Sequence, residues 1–132
     1  MSTSDQRSAA LNIAEAITEA FARRDIDGFM QAYAPDIAVW HNFDRQTQNS
    51  AENRTLLDGF MSLFASLQYT DICRVHTDEG IVQHHLVVGV LPDGRRLEMP
   101  ACLILTIQDE RIVRIDEYSD PAPFFALMAE ST

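Results

Sequence analysis

Basic charge is scarce in this sequence of 132 residues: 10 Lys and Arg stand against 20 Asp and Glu, giving a net charge of −10 and a pI near 4.6. Nucleic acid and anionic membrane surfaces both call for a basic face, so neither is an expected partner. The acidic residues are spread along the chain and read as a solubilising surface. Cysteine is scarcer still. Cys73 and Cys102 sit in apolar, strand-like contexts, and no CxxC pair occurs. The opening MSTSDQRSAALNIAEA has no apolar core of signal-peptide type. Buried free thiols in a cytoplasmic protein are the expectation. No apolar run approaches the ~20 residues that span a bilayer. Histidine occurs only at 41, 76, 84 and 85, without H-E-x-x-H or an equivalent spacing, and the adjacent pair His84 and His85 must face opposite sides of a strand. No metal site is expected. Gly28, Gly59, Gly80, Gly89 and Gly94 are scattered, so there is no phosphate-binding loop, and G-x-S-x-G is missing. No cofactor is implied.

What is present is an ordinary globular composition, 46% hydrophobic and 23% charged, and enough chain for one domain over 1–132 with its own core. The first small polar residues read as frayed. From Asp5 to Arg24 the pattern is helical, with Leu11, Ala14, Ile17 and Phe21 on one stripe. Asp25 can cap a second short helix carrying Phe29, Met30 and Tyr33, which Pro35 ends. A strand through Trp40 and His41 follows, then a polar loop from Asp44 to Asn53. Leu56, Phe60, Leu63, Phe64 and Leu67 mark a third helix. Four strands come next, over 69–77, 81–91, 95–107 and 111–119, joined by Asp78-Glu-Gly80, Pro92-Asp-Gly94 and Gln108-Asp-Glu110 turns. Pro100 marks a bulge or an edge. Phe124, Phe125, Leu127 and Met128 form an apolar tail that packs back. Helices at one end and antiparallel strands at the other predict an α+β fold. In it the N-terminal helices pack in a strongly curved, mostly antiparallel sheet, a cone enclosing a pocket. Strands apolar on both faces predict a homodimer through the outer face.

The chain turns on Tyr33-Ala-Pro-Asp-Ile-Ala-Val-Trp-His-Asn-Phe-Asp44. Alternation puts Ile37, Val39, His41 and Phe43 on one face and Ala38, Trp40, Asn42 and Asp44 on the other. A histidine in line with Ile, Val and Phe either fills a core niche or lines a pocket.

RRDIDGFMQAYAPDIAVWH, the helix around LLDGFMSLF and the ending RIVRIDEYSD together resemble the nuclear transport factor 2-like superfamily, and within it the SnoaL-like and ketosteroid-isomerase-like proteins. The resemblance covers nearly the whole chain. It implies a fold that hosts isomerases, cyclases, epoxide hydrolases, dehydratases and non-catalytic binders. Aligned on Tyr33-Ala-Pro-Asp36, the isomerases' first-strand aspartate base falls on His41, their oxyanion tyrosine near Ile17 and their oxyanion aspartate near Leu103. Both oxyanion donors are thus missing from those positions. A late-strand acid often completes SnoaL-like sites, and Asp116 and Glu117 are the candidates.

An imidazole titrates near neutral pH, so His41 can move a proton either way, or it can hydrogen-bond a backbone carbonyl as a structural residue. Glu117 shares the phase of Val113 and Ile115; it lines the pocket if they do, or pairs near the strand end with Arg114. One of His84 and His85 faces inward, and His85 joins the pocket set. Trp40 packs under a helix or at the dimer contact, or reaches the ligand. Tyr33 and Tyr118 can donate a hydrogen bond into the cavity. Phe60, Phe64 and Met99 are core or walls suited to a flat apolar molecule. The function expected is a small-molecule pocket, with His41 as the base and Glu117 as the partner acid acting on a small hydrophobic or cyclic metabolite. The alternatives are a non-catalytic binder and an association module.

Overall fold

A computed structural model describes residues 3–130. Met1 and Ser2, part of the start expected to fray, lie outside the described residues. In chain order the elements are α1 (Thr3–Arg23), α2 (Ile26–Met30), β1 (Tyr33–His41), β2 (Thr47–Gln48), α3 (Ser50–Ser62), β3 (Ser66–His76), β4 (Gly80–Val90), β5 (Arg96–Gln108), β6 (Arg111–Ser119) and α4 (Ala122–Ala129). The strands make a 6-stranded sheet in the order β2-β1-β6-β5-β4-β3. Every pairing is antiparallel except that of β1 with β6. The sheet curves without closing, and this is the expected α+β cone.

The core lies on the concave face. α1 lays Ala10, Ile13, Ala14, Ile17, Ala20 and Phe21 against the sheet, each buried. Burying a side chain the size of Ile17 or Phe21 stabilises by roughly 1.5–3 kcal/mol. The small alanines between them bring the helix close to the strands. Leu11, expected on this stripe, is only half-buried, and Ala10 and Ile13 take its place. Curvature has local causes. In β3 the ladder shifts register between Thr70 and Cys73, where Asp71 adopts φ 53°. Such a bulge bends its strand. Gly89 in β4 leaves room for the Phe64 ring, since a Cβ there would stand 2.6 Å from it.

The hairpin turns follow their residues. Asp109 and Glu110 both take positive φ, 51° and 60°, as the type I′ turn joining β5 to β6 requires. Gly94 at φ 93° closes the turn between β4 and β5. Asp25 caps α2 as expected, accepting from the Gly28 amide at 3.0 Å.

Four expectations are corrected. Tyr33 does not end α2 but opens β1. The segment read as a loop contains β2 and the first turn of α3, where Asn49 and Glu52 form a reciprocal capping box. α3 accordingly stops at Ser62, so Leu56 and Leu63 are exposed, and Leu67 belongs to β3. The apolar periodicity had run across a helix–strand junction. The thiols are not buried: Cys73 is exposed and Cys102 half-buried. Of the apolar tail, Leu127 is buried and Phe124 and Met128 pack on the core as α4, while Phe125 is exposed.

Candidate functional site

The strand registers decide which side chains share the concave face. His41 lies opposite Glu117, Glu117 opposite Leu103, and Leu103 opposite Gln83. The next row, Val39, Ile115, Leu105 and Ile81, is wholly buried and marks this face as the interior. His85 is two residues beyond Gln83, hence on the same face. Trp40, His84, Cys102, Asp116 and Tyr118 belong to the outer face. The two phase questions left by the sequence thus have answers: Glu117 and His85 point inward. Asp116 is held outside by Arg114, whose Nη2 donates to it at 2.8 Å.

His41 Nε2 lies 3.1 Å from Glu117 Oε1. The imidazole side chain is 5% exposed and the carboxylate side chain 25%, so the carboxylate is the outer member of the pair. A carboxylate accepts, so Nε2 carries the proton. His41 Nδ1 is buried without a protein partner. Phe43, expected on the same strand face, is exposed beyond the end of β1, though its ring lies 5.2 Å from that of His41.

Tyr33 is buried and its hydroxyl donates to Asn53 Oδ1 at 2.6 Å, while Asn53 Nδ2 donates to Gln48 Oε1 at 3.0 Å. Burial, and secondarily the Glu117 charge, hold the Tyr33 phenol well above its usual range. Tyr69 is raised by the same two influences and by Tyr33. The Tyr69 ring stacks on His85 at 3.7 Å and on Phe21 at 4.3 Å. Burial, then His84 and Arg74, pull the His85 imidazole down to about 4. The interior therefore holds two neutral phenols within reach of the Glu117 charge, and a neutral imidazole beside one of them. Glu117 and His85 face the interior from the strands on either side of β5, whose backbones lie roughly 10 Å apart.

Phe60 is half-buried among Phe21, Phe64 and Phe124, Phe64 is fully buried, and Met99 is half-buried opposite Val87. The structure thus gathers His41, Glu117, Tyr33, His85, Phe60, Phe64 and Met99 on the interior side. It does not bring Trp40 or Tyr118 there: their rings meet each other at 5.3 Å on the outer face. Tyr69, Asn53, Gln83 and Arg74 went unread in the sequence. Gln83 alone left a signal, standing in phase with His85 in a strand otherwise apolar on that face. A groove of about 540 Å³ lies at the opposite end of β6, between Arg7 and the Asp78, Glu79, Asp109 and Glu110 turns, and contains none of these residues. Among the described residues no three His, Cys, Asp or Glu side chains are grouped as metal ligands, and no helix is long and apolar enough to cross a membrane.

This geometry belongs to a recognisable class of small cone-shaped α+β proteins. The SnoaL-like domain model matches residues 14–115, and the chain belongs to that family. No curated protein matches the sequence. A candidate polyketide cyclase from Xanthomonas campestris pv. campestris is 24% identical over 92% of this chain and 97% of its own, with a TM-score of 0.78. AclR, a candidate hydroxylase from Streptomyces galilaeus, is 17% identical over 93% of this chain and 86% of its own, with a TM-score of 0.83. TerC, co-crystallised with polyporic acid, is 16% identical over 92% of this chain and 98% of its own, with a TM-score of 0.77. At such identities the likeness is one of fold.

Proposed function

We propose that this protein is a cytoplasmic, homodimeric enzyme that binds a small, largely apolar cyclic metabolite and moves a proton on it without a cofactor. The reaction type is that of an isomerase, cyclase or dehydratase. The observation that carries this reading is the 3.1 Å contact of His41 with Glu117 on the concave face, with the carboxylate the more exposed of the two. Its exposure favours Glu117 as the group that meets the ligand. Glu117 takes a proton from carbon beside a carbonyl, and the C–H electron pair moves toward the carbonyl oxygen. His41 holds the carboxylate's Oε1 through a hydrogen bond from Nε2–H, which leaves the other oxygen to carry the abstracted proton until it is returned at another atom of the ligand. The base role expected at His41 thus passes in this reading to Glu117, and His41 becomes its hydrogen-bonding partner. Phe60, Phe64 and Met99 supply the walls, and Tyr33 anchors the floor through Asn53. The neighbour described as a candidate polyketide cyclase and the one crystallised with polyporic acid favour cyclic, oxygenated ligands.

The test is a thermal-shift screen of wild type, His41→Ala and Glu117→Gln against cyclic ketones, aromatic polyketides, terpene epoxides and steroids, with each stabilising compound then assayed for turnover. Glu117→Gln is expected to keep binding and to lose roughly 10²–10⁴-fold in turnover, the usual worth of a positioned proton-transfer group. A compound that stabilises all three proteins and is converted by none makes this a binder. Conversion by Glu117→Gln at the wild-type rate removes the proposed base.

A further inference from the structure

The acid–base reading, on which this inference rests, needs a group to hold the oxygen where charge collects. We propose that His85 is that group, a neutral imidazole fixed as its Nε2–H tautomer by Arg74 and Gln83, and that it donates to a carbonyl oxygen of the ligand.

The chain of donors runs one way. A guanidinium has only donors. Arg74 Nε donates to Gln83 Oε1 at 2.8 Å, and Arg74 Nη2 donates to Thr18 Oγ1 at 3.3 Å. Thr18 in turn donates its hydroxyl to the Ala14 carbonyl at 2.7 Å, which leaves it free to accept. Gln83 is fully buried, and reversing its amide would set an NH₂ group against the guanidinium. Its Nε2 therefore faces His85 Nδ1, at 3.0 Å. An amide nitrogen donates, so His85 Nδ1 accepts and carries no proton. The proton of the neutral ring is on Nε2.

That Nε2 is buried and has no protein partner, in a residue 5% exposed. A buried N–H without an acceptor is unfavourable, and a ligand oxygen would satisfy it. Stacking on Tyr69 at an interplanar angle of 13° holds the ring plane. With Nδ1 already occupied and the imidazole held to about 4, His85 is unsuited to be a base and remains an N–H donor throughout the neutral range. A neutral imidazole that polarises a carbonyl is a workable electrophile. In the isomerases this chain resembles, the donors stand at the positions of Ile17 and Leu103. Here both of those are buried aliphatics, and β4 brings a donor from elsewhere. Arg74 and Gln83 are positioning residues. Neither needs to touch the ligand, and the site selects a molecule with an acceptor oxygen beside the carbon that Glu117 deprotonates.

Two measurements on the full chain test this. The first is ¹⁵N NMR of the histidine rings at pH 7 in wild type, Gln83→Glu and Gln83→Met. Wild-type His85 should show a protonated Nε2 and a bare Nδ1. Gln83→Glu, nearly isosteric, sets a carboxylate against Nδ1 and should move the proton there; Gln83→Met should leave a tautomer mixture. An Nδ1–H tautomer or an imidazolium in wild type overturns the proposal, and so does a tautomer unchanged in both variants. The second is binding of 1-tetralone against tetralin, which differ at the carbonyl. Wild type should prefer the ketone by roughly tenfold, the range of one well-made hydrogen bond. That preference should vanish in Gln83→Glu and in His85→Phe. Equal affinity for the two compounds, or none for either, overturns the donor role. Loss of turnover in Glu117→Gln is read separately, so failure of the base and failure of the donor are distinguishable.

Discussion

His41 and His85 both face the interior of this cone, and their surroundings divide the labour between them. His41 gives its Nε2 proton to a carboxylate 3.1 Å away. His85 has an amide as neighbour and a guanidinium behind it. The difference predicts a pH signature. The folded His85 imidazole titrates near 4 against 6.5 for the free group, so below pH 6.5 the unfolded chain takes up a proton that the folded chain refuses. Stability is therefore retained above pH 6.5, falls as the pH drops through 6.5 toward 4, and levels off below. The shift corresponds to about 3 kcal/mol from this residue. Urea unfolding of wild type and His85→Phe between pH 7 and pH 4 measures it, with a shallower decline expected in the variant. Equal slopes would mean that His85 takes up its proton as readily in the fold as in the unfolded chain. A second prediction concerns Tyr33. Replacing it with Phe removes the donor to Asn53 Oδ1 and leaves that buried oxygen unpaired. A loss of roughly 1–3 kcal/mol in urea is expected, with no change in the chain's fold.

At the scale of elements, what the sequence disclosed and what it hid have the same physical source. Strands β4, β5 and β6 were legible because turn residues bracket them and their apolar runs are long. RIVRIDEYS was placed to the residue. Local patterns failed where one periodic run crossed a boundary. Leu56, Phe60, Leu63, Phe64 and Leu67 fit a helix, yet Phe64 is buried through a junction where its ring packs on Gly89 across the sheet. The Asn49–Glu52 capping box was visible as letters and would have moved α3 six residues earlier than Leu56. Pro100 sits within an inner strand, yet its carbonyl accepts from Asp120 just past the end of β6. Its nitrogen therefore faces a locally open edge, as its residue type demands. Of the site, His41 and Glu117 followed from alternation plus resemblance. Tyr69, Arg74 and Gln83 did not, because their role depends on β3 pairing across a bulge that no local pattern announces. The cap carries a prediction of its own: Asn49→Ala should cost about 1 kcal/mol, read as a lower melting temperature, because the Glu52 amide loses its acceptor. No change in melting would mean that packing of Met61 and Asn53 alone positions α3.

For the whole molecule the open question is what covers the convex side of the sheet. Val75, Val82 and Ile104 form one row across three strands there, and the Trp40–Tyr118 ring pair lies beside it. Val75 is 56% exposed, Tyr118 48% and Ile104 37%. A monomer leaves this apolar strip in water, whereas a second copy laid across it buries each strip against its equivalent. A stable dimer of this kind removes on the order of 800 Å² per subunit. Charge works the other way, because each chain carries −10. Dimerisation should therefore tighten as salt rises to about 0.15 M and screens the repulsion. Sedimentation of wild type and of Ile104→Asp at both ionic strengths tests both terms at once. Wild type should sediment as a dimer at micromolar concentration, more tightly at the higher salt. Ile104→Asp should be monomeric and melt within a few degrees of wild type, because the side chain points out of the sheet rather than into the core. A wild type that stays monomeric at tens of micromolar would show that the strip is not a homodimer contact, and the concave site would then have to work within one subunit whose outer sheet face remains in solvent.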